Sequence, residues 1–120
     1  MSRIFVSIVD DDAGSRGATA SLVRSLGLAV DVFASAREFL ASPSWVTTAC
    51  LITDIHMPEI SGLELQTRLR ALRPDCPVLV VTGFPTEAVR DMAIEGGAAG
   101  FFAKPLGSDF LTCLEGQITT

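Results

Sequence analysis

Five short apolar runs, at residues 4–9, 28–33, 49–53, 78–82 and 99–103, alternate with stretches of helical period, and that alternation leaves few folds open. Each run is rich in β-branched or aromatic residues, as a strand buried on both faces of a sheet requires. Between them, Ala18, Leu22, Val23 and Leu26 recur at helical spacing up to Gly27. Ser35-Ala-Arg-Glu38 is a capping box that opens a helix over 36–41. Leu63, Leu65, Leu69 and Leu72 mark a third helix, and Pro85 starts a fourth that carries Ala88, Val89, Met92 and Ala93 and stops at Gly96-Gly97. Ser108 caps a last helix with Phe110, Leu111, Leu114 and Ile118. Residues 43–48 read as a loop in which Trp45 covers the core edge. Strands joined through helices must cross over, so a parallel, doubly wound sheet with five helices in three α/β/α layers is expected.

The 120 residues fit a single domain spanning 1–120, large enough to bury about two thirds of its unfolded surface. Cys50, Cys76 and Cys113 are odd in number and lack metal-ligand spacing. Cys50 and Cys113 fall in apolar or amphipathic segments, where cysteine acts as a small hydrophobe, and a reducing, cytoplasmic setting is expected. The opening residues 1–9 resemble a leader only until three aspartates follow with no cleavage pattern. No uncharged stretch suits a membrane span, the longest being broken by Pro43 and several hydroxyls. A net charge of −5, with scattered arginines and Lys104 as the sole lysine, argues against binding a nucleic-acid backbone.

Four of the five runs end in polar residues: Asp10 and Asp11 after the first, Asp54 on the third, Thr82 on the fourth and Lys104 on the fifth. In a parallel sheet these ends share one edge, where open α/β folds place their ligands. Three crowded carboxylates raise one another's pKa, and a hard divalent cation such as Mg²⁺ relieves them while keeping several waters. Metal, lysine and hydroxyl together suit a phosphoryl group, which Asp54 would attack as nucleophile while Lys104 and Thr82 hold its oxygens. Any acidic triplet alone reads as a solvated turn, and Asp12 is assigned to capping the following helix. Thr82 and Lys104, taken singly, read as a strand-end hydroxyl and a surface lysine; their common edge makes them a site.

Ile-Val-Asp10-Asp11-Asp12, Asp54-x-x-Met57-Pro58-x-x-x-Gly62, Val-Val-Thr82-Gly83 and Phe101-Phe-Ala-Lys104-Pro105 together resemble the receiver domain of two-component response regulators, over essentially the whole chain. Ser35-Ala-Arg-Glu-Phe-Leu40 and Thr82-Gly83 look most like the FixJ type, which precedes a LuxR-type helix-turn-helix output. The resemblance implies a flavodoxin-like sheet in the order 2-1-3-4-5. It implies that Asp54 accepts the phosphoryl group of a sensor histidine kinase, with Mg²⁺ held by Asp11 directly, by Asp54, by Asp10 through water or by positioning it, and by the His56 backbone carbonyl. Thr82 and Lys104 would stabilise the phosphoryl group, Thr82 and Phe101 would switch, and the Lys104-Pro105 bond would be cis. The fourth helix, fifth strand and final helix would form the face read by an output domain or partner protein, with a homodimer as a further outcome of phosphorylation. His56 and Phe84 stand two places after the acceptor and the threonine, where the family positions the attacking water; bulky Phe84 is expected to slow phosphoryl loss.

Three rivals stay in view. A haloacid-dehalogenase-like phosphohydrolase would use Asp10-x-Asp12 but lacks the threonine expected after the second aspartate. A flavodoxin-like cofactor binder would want glycine and hydroxyls in the first loop, where three aspartates stand. A pseudo-receiver keeping the fold without the reaction would not need all five site residues. The reading is therefore a phospho-acceptor switch and not an enzyme, contacting neither nucleic acid nor membrane itself. It either works alone through partners or forms the amino-terminal part of a longer transcription regulator.

Overall fold

The computed structural model describes residues 4–118. Residues 1–3 of the candidate leader and 119–120 at the end of the expected domain lie outside the described residues. Five strands, β1 (Phe5–Val9), β2 (Ala29–Phe33), β3 (Leu51–Asp54), β4 (Val78–Thr82) and β5 (Gly100–Ala103), form one parallel sheet in the order β2-β1-β3-β4-β5. The expected order is observed. Helices α1 (Ala13–Arg24), α2 (Ala36–Ala41), α3 (Ser44–Thr47), α4 (Gly62–Leu72), α5 (Glu87–Glu95) and α6 (Ser108–Ile118) cover its faces.

Among the described residues there are six helices where five were expected. The extra one is α3, a single turn inside the segment read as a loop. It has no side-chain cap on Pro43. Its carbonyl end is held from outside instead: Arg73 Nη1 donates to Trp45 O at 3.2 Å and to Thr48 O at 2.8 Å. A one-turn helix stabilised by a distant arginine has no local signature.

Strand periodicity sorts the core into two layers. Val9, Leu51, Val78 and Val80 point toward α2, α4 and α5, where Phe39, Leu65, Leu69 and Ala93 are buried. Trp45 packs at the margin of this layer, as expected. Val6, Ile8, Ile52, Leu79 and Val81 point toward α1 and α6, against Ala20, Val23, Phe110 and Leu114. Phe101 and Phe102 fall on opposite faces, and both are half-buried, because helices cover both sides of the sheet. In a sheet covered on one side only, the period of two would bury just one of such a pair.

Several local rules operate as expected. Asp12 caps α1, its Oδ2 accepting from Ser15 N–H at 2.7 Å. Ser35 Oγ accepts from Glu38 N–H at 3.1 Å, while Glu38 takes the serine hydroxyl at 3.4 Å instead of reaching a backbone N–H. Glu64 and Arg68 form an i, i+4 ion pair at 2.6 Å. The thiols of Cys50 and Cys76 are buried, which pushes their pKa up and keeps them protonated. Among the described residues no helix is long and apolar enough to cross a membrane.

Candidate functional site

The parallel sheet delivers the four polar strand ends to one edge. Asp10 follows β1, Asp54 closes β3, Thr82 closes β4 and Lys104 follows β5. Carboxylate oxygens of Asp10, Asp11 and Asp54 all lie within 4.8 Å of one another. Asp10 is 2% exposed and Asp54 8%, while Asp11 faces solvent.

Lys104 stands between the two buried acids. Its Nζ is 2.9 Å from Asp10 Oδ2 and 3.4 Å from Asp54 Oδ1. Burial pulls the lysine pKa down, but the hydrogen bond to Asp10 and the charges of Asp54 and Asp10 outweigh it and leave Lys104 raised. For Asp54 the balance goes the other way: burial raises its pKa, the Asp10 charge adds to that, and Lys104 with the Ile55 N–H offsets only part. One ammonium facing three carboxylates leaves an unmet negative charge, and the donors are all hard oxygens. That set fits Mg²⁺, which accepts few protein ligands and retains waters.

Backbone restraints fix these acids. Asp10 Oδ1 accepts from Asp12 N–H at 3.0 Å, and Arg16 Nη1 donates to Asp10 O at 2.8 Å. Gly62, the first residue of α4, lies so close to Asp54 that a Cβ there would run into the Asp54 carbonyl group. Its N–H donates to Ile55 O at 2.9 Å. The sequence motif includes Gly62 without giving it a contact, and Arg16 has no part in it. A glycine opening a leucine-rich helix, where it costs stability, was the available signal for close approach. Arg16 carried no signal, since its partner is a backbone atom.

The second half of the edge is looser. Thr82 is fully buried, and its Oγ1 accepts from Phe84 N–H at 3.1 Å. A cavity of about 310 Å³ opens above Asp54, lined by Asp11, Asp12, Ser15, His56, Lys104 and the Gly83-Phe84 turn as well as Asp54 itself. Phe84 is 76% exposed and meets the His56 ring edge to face at 6.0 Å. His56 is exposed on the β3–α4 loop. Phe101 pairs in register with Val80 and packs against the α2–α5 side of the core. The Lys104-Pro105 peptide is cis.

An enclosed acid at a strand end, a lysine across from it, a buried hydroxyl one strand away and room for a small anion suit transfer of a phosphoryl group to a carboxylate. The family model described as the response regulator receiver domain matches residues 6–113. The response regulator protein TodT of Pseudomonas putida is 40% identical over 106 residues, covering 88% of this chain and 47% of that protein. The transcriptional regulatory protein FixJ of Bradyrhizobium diazoefficiens is 32% identical over 109 residues, covering 91% of this chain and 53% of its own length. The crystal structure described as FixJ-N superposes with a TM-score of 0.84 at 31% identity, covering 99% of this chain and 96% of that one. The chain thus spans about half the length of these curated relatives.

Proposed function

Because the chain belongs to the response regulator receiver-domain family, we propose that it is a phosphorelay switch that takes a phosphoryl group onto Asp54 from a sensor histidine kinase. The observation that carries this reading is the convergence of Asp10, Asp11 and Asp54 within 4.8 Å, with Lys104 reaching two of them. An Asp54 oxygen attacks phosphorus, the phosphorus–nitrogen bond of the donor phosphohistidine breaks, and the electron pair leaves with the imidazole. Asp11, Asp54, Asp10 and the backbone carbonyl of His56 would hold Mg²⁺. When bound, the ion supplies charge neutralisation between carboxylate and phosphoryl oxygens.

Lys104 then pairs with the new phosphoryl oxygens, and the Thr82 hydroxyl donates to another. A hydrogen bond to a charged group contributes about 1.5–3 kcal/mol, so two such contacts approach the about 5.5 kcal/mol that moves a two-state equilibrium from mostly off to mostly on. Thr82 and Phe101 are the switch residues. The face made by α5, β5 and α6 is read by an output domain or partner, with self-association as one form of output. The setting is cytoplasmic. The length of the curated relatives supports a receiver that controls transcription through a further domain; in the alternative it works alone by protein contact.

Incubation with Mg²⁺ and acetyl phosphate is expected to label the wild type with one acid-stable, base-labile phosphoryl group, and Asp54→Asn is expected to stay unlabelled. Label surviving in Asp54→Asn, or none in the wild type, overturns the assignment. Mg²⁺ withdrawal by a chelator should abolish labelling. Size exclusion of the same samples reads self-association directly.

A further inference from the structure

A helix that crosses back over a parallel sheet starts at the carboxyl edge and ends at the far one. The start of α5 therefore adjoins the site and its end is remote from it. Two side chains of α4, one turn apart, grip the remote end. Gln66 is 1% exposed, and its Nε2 donates to Ala93 O at 2.9 Å, an oxygen that also accepts from Ala98 N–H at 3.0 Å. Gly96 makes room for it, since a Cβ there would come to 3.0 Å from Gln66 Nε2. Arg70 lies over Gly97, whose φ is +92° and whose Cβ would sit 2.8 Å from the guanidinium carbon. A cation at the carbonyl end of a helix is favourably placed.

The near end has no such hold. Ala93 is the one buried residue of α5, Val89 is half-buried, and residues 83–88 are exposed. The first turn is capped only within itself, Thr86 Oγ1 accepting from Val89 N–H at 3.1 Å. Lifting the remote end strands a buried amide and incurs its full desolvation cost, whereas lifting the near end strands nothing of the kind.

We propose that Gln66, supported by Arg70, is a positioning residue that makes the Gly96-Gly97 turn a fixed pivot, so that displacement begun at Thr82 swings the near end of α5 and leaves the remote end in place. The Thr82 hydroxyl carries the Phe84 N–H, so drawing it toward Asp54 pulls the start of the β4–α5 turn with it. The trigger rests on the phosphoryl reading given above; the clamp does not. Coupling through a discrete, two-position element is the physical form such a signal takes.

Amide hydrogen exchange separates the two. In resting protein, Gln66→Met, which keeps the volume and removes the donor, should speed exchange at Gly96, Gly97 and Ala98 by about tenfold while leaving Val89 and Arg90 unchanged. Gly96→Ala, which wedges a methyl against Gln66, is the second variant and should do the same. In wild type treated with Mg²⁺ and acetyl phosphate, changes should be confined to 83–91; in Gln66→Met they should extend to 98. Unchanged exchange at 96–98 in both resting variants, or a phosphorylated wild type that changes as much at 96–98 as at 83–91, overturns the pivot. Intact mass on the same samples reports the phosphoryl group, so failure of phosphorylation is seen separately while the resting arm still decides the clamp.

Discussion

Around Asp54 the backbone is held by close contacts and hydrogen bonds, whereas two residues beyond Thr82 the chain has almost left the core. The first half of the edge has Gly62 seated against the Asp54 carbonyl, Arg16 on the Asp10 carbonyl and both acids under 10% exposed. The second half has Phe84 at 76% exposure and a helix that buries one residue. A reacting carboxylate must be held in place before the reaction, because small misplacements cost large factors in rate. An element that reports the reaction must instead come from the low-stability end of the fold. On the proposed function, the two halves would divide those demands between them.

The largest effect is expected at Gly62. Alanine inside a helix normally improves on glycine by about 0.5–1 kcal/mol, and Gly17→Ala in α1, where an added Cβ meets nothing within 4 Å, should gain about that much in urea unfolding. Gly62→Ala should lose about 3 kcal/mol or more, because its Cβ meets backbone that cannot swing aside. If both substitutions stabilise, the first half of the edge is not rigid and the contrast fails.

Asp54 supplies the next. Its carboxyl pKa is raised in the folded state chiefly by burial, so the protonated form is the one folding prefers. That contribution is complete below the ordinary aspartate range and is lost as pH rises through the folded value. Asp54→Asn mimics the protonated acid. In the absence of divalent ions it should melt with the wild type at acid pH and a few degrees above it at neutral pH. Equal melting at both extremes would mean that Lys104 fully compensates the buried charge.

Much of this contrast was legible beforehand. Short apolar runs ending in Asp10, Asp54, Thr82 and Lys104 announced both the parallel sheet and its loaded edge, because strand order and side-chain period leave such residues nowhere else to go. The Ser35 cap, the Asp12 cap and the Gly96-Gly97 stop were local chemistry and read correctly, although Glu38 takes the Ser35 hydroxyl and not a backbone N–H. What escaped depended on distance in sequence or on a backbone partner: Arg73 holding α3 together from 25 residues away, Gln66 reaching across 27 residues to Ala93, and Arg16 on a backbone oxygen. Gln66 sits among the leucines of α4 as an ordinary polar helix former, and nothing in its neighbours says that it is buried. Thr82 is fully buried, a depth that strand endings alone do not specify.

Phe84 sharpens the loose half. Its exposed ring offers no hydrogen bond to a water approaching the acyl phosphate, and it leans on His56 at 6.0 Å. Phe84→Asn should shorten the lifetime of the phosphorylated protein by up to about tenfold, equivalent to some 1.4 kcal/mol of barrier, with the melting temperature unchanged. The decay of label after removal of acetyl phosphate measures it. A lifetime that does not fall removes Phe84 from control of the reaction and leaves it as part of the exposed turn only.

The smallest effect is expected where the rigid half looks most visibly fastened. Arg37 reaches Glu59 through Nε at 3.0 Å and Nη2 at 2.6 Å, bridging α2 to the β3–α4 loop, but both side chains are well over half exposed. An exposed pair contributes about 0.2–1 kcal/mol. Glu59 also carries a φ of +66°, which costs a residue with a Cβ about 1–2 kcal/mol. In Glu59→Gly the lost pair and the added freedom of the unfolded chain oppose the relief of that strain, so the net change should lie within about 0.5 kcal/mol of zero. Urea unfolding of Glu59→Gly beside Arg37→Ala checks this. A loss of more than about 1.5 kcal/mol in either would mean that the surface bridge, and not the buried contact at Gly62, holds the loop beside Asp54.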